Sequence, residues 1–215
     1  MEFEGIVFEG PPHNDEERGD AMLLRELPAE LARLLKERNG FIAFAGGLHV
    51  RGACNEPNWH SLREAWKGTG ALHERYPEVK PTDIPFAEDC VGDQYLLRDG
   101  EVVQLFAEMG EVEHLDMSLS EFFQAAKEDP VDMLCTDPLE LFLQSNPRLA
   151  PGRLLQVFPP FCCDADEREL RDMPAEDLLD YHTELSSRLS ELPEGAELDY
   201  SSIPHSDRPT PTSFD

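Results

Sequence analysis

The dipeptide Asp99-Gly100, set between the apolar runs Tyr95-Leu96-Leu97 and Val102-Val103, constrains this chain more than any other feature. Asp-Gly accepts positive φ at both central positions of a two-residue turn, and the twist of that turn matches the twist of paired strands. The chain is therefore expected to reverse here as an antiparallel hairpin, with Val102 to Ala107 as the return strand. A second reversal at Met109-Gly110, followed by Val112 to Leu115, extends the hairpin to a three-stranded meander.

Helical signals surround this meander. Leu24, Leu27, Leu31, Leu34 and Leu35 recur at three- and four-residue steps, which predicts a helix from Pro28 to Arg38, closed by Asn39-Gly40. Trp59, Leu62, Arg63 and Trp66 share helical spacing, and a further helical piece covers Ala71 to Tyr76. Ser118 and Glu121 form a capping box ahead of Leu119, Phe122, Phe123 and Ala126. Asp137-Pro138 starts another helix. Strands are expected at Glu2 to Glu9, in one or two pieces between Phe41 and Val50, and at Leu154 to Phe161. The fold class is α+β: a mostly antiparallel sheet flanked by helices, with a C-terminal helical extension. Residues 1–160 form the main domain, 161–203 an acidic helical extension with the stripe Leu178, Leu185, Leu189 and Leu192, and 204–215 a disordered tail.

Composition limits the partners. Lys and Arg number 18 against 45 Asp and Glu, a formal net charge of -27, which repels phosphate backbones and anionic headgroups and steers basic proteins inward. Nucleic acid and membrane surfaces are therefore poor partners; the charge suits a basic protein, and equally a chain whose charge only keeps it soluble. No run approaches the ~20 apolar residues of a membrane span, and Met1-Glu2-Phe3-Glu4 lacks the start of a signal peptide. Five irregularly spaced cysteines do not make a disulfide framework, so a reducing cytoplasm is expected.

The ordered words of the sequence resemble the SUKH superfamily, the Smi/Knr-type domain. They are Leu27-Pro28-Ala29-Glu30-Leu31 with Leu35 and Asn39-Gly40, then Trp59 to Trp66. Ile84 to Gly92-Asp93-Gln94-Tyr95-Leu96, the hairpin, and Ser118-Leu119-Ser120-Glu121-Phe122-Phe123 follow. The resemblance implies an α+β domain that offers a groove to a protein partner. Many bacterial members are similar to immunity proteins that neutralise a toxin domain, and fungal relatives are regulatory scaffolds. The family brings no catalytic residue set.

Glu88, Asp89 and Asp93 around Gly92 are candidate contacts for a basic partner such as a toxin domain. The competing reading is that Asp89 and Asp93 accept backbone N–H groups in a turn where Gly92 takes positive φ. Glu108, Glu111 and Glu113 extend the acidic rim, toward a partner or toward water. Trp59 is read as a partner anchor or as core. Cys162-Cys163 lacks the spacing of a zinc or redox motif and is expected to pack inertly. His49, His60 and His73 show no metal-ligand spacing, and no nucleophile motif appears, so no catalytic residue, metal or cofactor is expected. The function read from these features is non-catalytic protein binding. The alternative is a regulatory or self-associating scaffold, a homo-oligomer joined by the leucine stripe.

Overall fold

The computed structural model describes residues 3–192, so the expected tail at 204–215 lies outside the described residues. One sheet contains β1 (Phe8–Glu9), β2 (Phe41–Ala43), β3 (Leu48–Val50), β4 (Ile84–Asp89), β5 (Gln94–Arg98), β6 (Glu101–Phe106) and β7 (Glu111–Ser118), antiparallel throughout and in chain order. The helices are α1 (Ala29–Glu37), α2 (Leu62–Lys67), α3 (Leu72–Arg75), α4 (Leu119–Glu128), α5 (Pro130–Leu134), α6 (Asp137–Leu143) and α7 (Ala175–Glu191). A separate ribbon pairs β8 (Arg153–Phe158) with β9 (Glu169–Pro174). The fold is α+β, an antiparallel sheet flanked by helices and finished by a C-terminal helix.

The meander forms where the turn chemistry places it. Asp99 has φ 53° and Gly100 φ 94°, and the pairing runs without a slip from Arg98↔Glu101 to Gln94↔Leu105. The apolar run 41–50 divides because Phe44 and Ala45 take φ 50° and 57°, turning β2 back onto β3. Trp59 does not share a helix with Trp66. It sits in a one-turn 3₁₀ segment, Asn58–His60, and Ser61 breaks the helical run by capping α2. The box at α4 closes in both directions: Ser118 Oγ accepts the Glu121 N–H (3.4 Å) and Glu121 Oε2 accepts the Ser118 N–H (2.8 Å). Ser118→Ala should cost about 1 kcal/mol, read as a lowered urea midpoint with an unchanged slope.

Strand alternation builds two unlike faces. Leu48, Val50, Ala87, Tyr95 and Leu97 point to the first face, where α1, α2 and α4 bring Leu31, Leu35, Trp66, Phe122 and Phe123 into the largest apolar core. The intervening positions point to the second face: Leu96, Val103 and Leu105 at one end, against Tyr76 and Leu179, and His49, Arg51, Glu88 and Gln94 at the other. A sheet face carrying such groups needs a cover.

The C-terminal third provides it. Leu178 and Leu185 are fully buried with Leu154, Met173 and Tyr181, and Leu189 packs alongside. Each buried leucine is worth about 1.5–3 kcal/mol relative to an exposed one. The stripe, which could pack on this domain or on another chain, is thus spent on the chain's own ribbon and sheet. The boundary expected at 160/161 falls inside the β8–β9 pairing, so this segment is not an appendage. β9 was not expected at all.

Candidate functional site

Register makes the buried polar layer. His49 is the cross-strand partner of Glu88, and Glu88 of Gln94, which lines the three up on the second face. Arg51, just beyond β3, donates from Nη2 to Glu88 Oε2 (2.6 Å) and Gln94 Oε1 (2.7 Å), and from Nη1 to the Pro85 carbonyl (3.1 Å). Gln94 Nε2 returns a hydrogen bond to Glu88 Oε2 (3.0 Å). Glu88 Oε1 meets His49 Nδ1 (2.7 Å), His49 Nε2 meets His60 Nδ1 (2.8 Å), and His60 Nε2 reaches the Asn39 carbonyl (3.2 Å).

This chain has acceptors at both ends, so its three hydrogen bonds need three protons on four ring nitrogens. Two neutral imidazoles carry only two. All three bonds are satisfied when one ring is an imidazolium. Burial is the larger effect at His49 and lowers its pKa, while the Glu88 carboxylate pulls the other way without overcoming it. Burial would also raise the Glu88 carboxyl, but the Arg51 charge and the His49 and Gln94 hydrogen bonds overcome it and hold Glu88 down at about 2. His60 is pushed down to about 3 by burial and by its neighbour His49.

Above this layer a cleft of about 370 Å³ opens between the α2–α3 segment and α7. Its volume falls in the usual range of binding pockets, about 300–1,000 Å³. Arg51 and Glu88 reach it from the floor, and half-buried Trp59 forms one wall. Arg75 straps it: Nε donates to the Gly70 carbonyl (2.7 Å) and Nη1 to Asp180 Oδ1 on α7 (2.6 Å). Both cations at the cleft are therefore matched by carboxylates. Two further acids, Glu64 and Glu176, are exposed at the rim and have no ion-pair partner among the described residues. The cleft presents excess negative charge beside an indole.

The sequence-derived acidic edge divides when placed in three dimensions. Glu88, Asp89 and Glu108 are buried, so they do not form an open rim, and this is a correction to the expected contact set. Asp89 Oδ1 accepts the N–H groups of Val91 (3.0 Å), Gly92 (2.9 Å) and Asp93 (3.0 Å) around Gly92 at φ 94°. Asp93 Oδ1 accepts the Ala107 N–H (2.8 Å), which leaves its carboxylate in the turn and mostly buried. Burial raises Asp89 and takes Asp93 up to about 6 and Glu108 up to about 7. Glu111 and Glu113 are exposed on the edge strand β7. His49, Arg51, His60, Gln94, Glu64 and Glu176 were missed as a group. The alternation of His49 and Arg51 with Leu48 and Val50 was the one local sign that two polar groups share a face.

Among the described residues, no group of three or more His, Cys, Asp or Glu side chains is arranged to hold a metal ion, and no helix is long and apolar enough to cross a membrane. No family model matches the chain, and no curated protein matches it. Among solved structures, the crystal structure of Atu4351 from Agrobacterium tumefaciens is similar, with 12% identity and a TM-score of 0.49 over 81% of this chain and 85% of that one.

Proposed function

We propose that this chain is a non-catalytic protein-binding module of the cytoplasm, of the SUKH kind, that takes a basic segment of another protein into the cleft between α2–α3 and α7. An immunity-type role, in which the bound protein is a basic toxin domain, is the form of this reading that the ordered sequence words favour. The observation that carries it is the cleft itself, where Glu64 and Glu176 stand unpaired beside Trp59. An arginine or lysine side chain entering there meets opposite charge and an aromatic wall, and cation–π contacts add about 0.5–2 kcal/mol. Glu111 and Glu113 follow the β6–β7 turn, which lies against Tyr76 and against Ser186 of α7. From there they add to the field that draws a basic partner in.

The test starts with capture of partners by the tagged chain at low and high salt, followed by affinity measurements on the recovered complex. Reversing both rim charges, Glu64→Lys with Glu176→Lys, should weaken binding by roughly tenfold or more at low salt and much less at high salt, as screened charges do. A partner whose affinity ignores those two substitutions would move the binding surface elsewhere. Recovery of the bait alone at both salts would sink the reading.

A further inference from the structure

Cys162 and Cys163 take no part in the cleft or in any apolar core, and they are not packed inertly as their sequence suggested. Cys162 is exposed and Cys163 half-buried, whereas Cys54 and Cys90 are buried. Neighbouring side chains of an extended segment leave on opposite faces. Here the Cys163 N–H donates to the Pro160 carbonyl (3.0 Å), closing a turn that brings the two Sγ atoms to 4.0 Å. The peptide between them is held from both ends. Glu108 Oε2 accepts the Cys162 N–H (3.3 Å), and Arg168 Nη2 donates to the Cys163 carbonyl (2.8 Å) while its guanidinium lies 5.6 Å from the Phe161 ring centre.

We propose that Cys162 and Cys163 form a two-sulfur site for a soft monovalent cation of the Cu(I) class. Paired thiolates select soft ions over hard ones. Metal–sulfur legs of about 2.3 Å, the length known for zinc thiolates, span up to about 4.6 Å, so the existing separation is bridged without moving the backbone. Asp164, Asp166 and Glu167 are exposed on the same loop, with Glu108 beneath it, which gives the site a field that attracts cations. Two S–H bonds break and two S–Cu bonds form. Two protons leave to solvent and no electron is transferred. Because each thiol must lose its proton to bind, the affinity rises with pH.

The full chain, reduced and kept free of oxygen, would be titrated against Cu(I) held by a chromophoric chelator. It should withdraw one equivalent. Cys162→Ser and Cys163→Ser should each weaken binding at least about 100-fold, the size that loss of even a supporting group reaches. Cys135→Ser, at an exposed cysteine outside the pair, should change nothing. Withdrawal by the wild type no greater than by the double variant, or an equal loss in Cys135→Ser, would overturn the site. X-ray absorption at the copper edge of the loaded wild type should report two sulfur neighbours, and a shell of three or more ligands would refute the two-sulfur geometry.

Discussion

Glu88→Ala should remove about 3–5 kcal/mol of folding stability, the cost of leaving a buried cation without its partner. Arg51 and Glu88 are 5% and 4% exposed, and Glu88 is the only carboxylate paired with Arg51 among the described residues. Without it, Arg51 keeps hydrogen bonds to Gln94 and the Pro85 carbonyl but loses its counter-charge. The same substitution strips the acceptor from His49 Nδ1, and with it the charge that favours a proton on the His49–His60 pair. Two defects in one layer place the effect at the upper end of single substitutions. Against a total stability of about 5–15 kcal/mol, the urea midpoint should fall by roughly 1–2 M. Glu88→Gln keeps the shape and an acceptor oxygen while losing the charge, so it should fall between wild type and alanine. If the glutamine variant is as stable as wild type, the charge is not what this layer requires.

Local physics made much of this fold readable. The Asp99-Gly100 turn and the Ser118–Glu121 box are each settled within four residues, and both lie where their chemistry placed them. The polar layer is a different matter. Glu88 looked like part of a charged surface run because its neighbours Asp89 and Asp93 are also acidic, yet what buries it is Arg51, 37 residues earlier, and His49, 39 residues earlier. Asp89 is buried by three backbone N–H groups, a demand that many exposed turns also show. The stripe on α7 was visible, but its partner was not, since an apolar face packs equally well on a second copy or on its own sheet. β9 escaped because Glu169 to Pro174 carries only two apolar side chains before its proline, Leu170 and Met173, and these do not alternate. The cleft has no sequence signature, since it joins elements more than a hundred residues apart, as Arg75 and Asp180 are.

The stability advantage of Asp93→Asn over wild type should grow as pH rises, by roughly 3 kcal/mol between about pH 4 and about pH 7, at 1.4 kcal/mol per tenfold change in proton affinity. Burial raises the folded-state pKa of Asp93 to about 6, above the unfolded value. The stability it contributes is therefore full below the unfolded pKa and is lost as pH rises through 6. Asparagine never ionises, and its Oδ1 still accepts the Ala107 N–H that Asp93 takes now at 2.8 Å. It also relieves Asp89, which is raised by burial first and by the Asp93 charge second. Glu108, raised by burial to about 7, works in the same direction as the two aspartates. From α7, His182 works the other way: burial lowers it to about 3, so its contribution is present above the unfolded histidine pKa and lost as pH falls. His60 does the same. Between about pH 4.5 and 6 the acids and the histidines oppose one another, so the wild type should look nearly level there. The difference between the two proteins isolates the aspartate. Urea unfolding of both across that range is the measurement, and a difference that stays constant with pH would mean that Asp93 ionises as freely in the folded turn as in the unfolded chain.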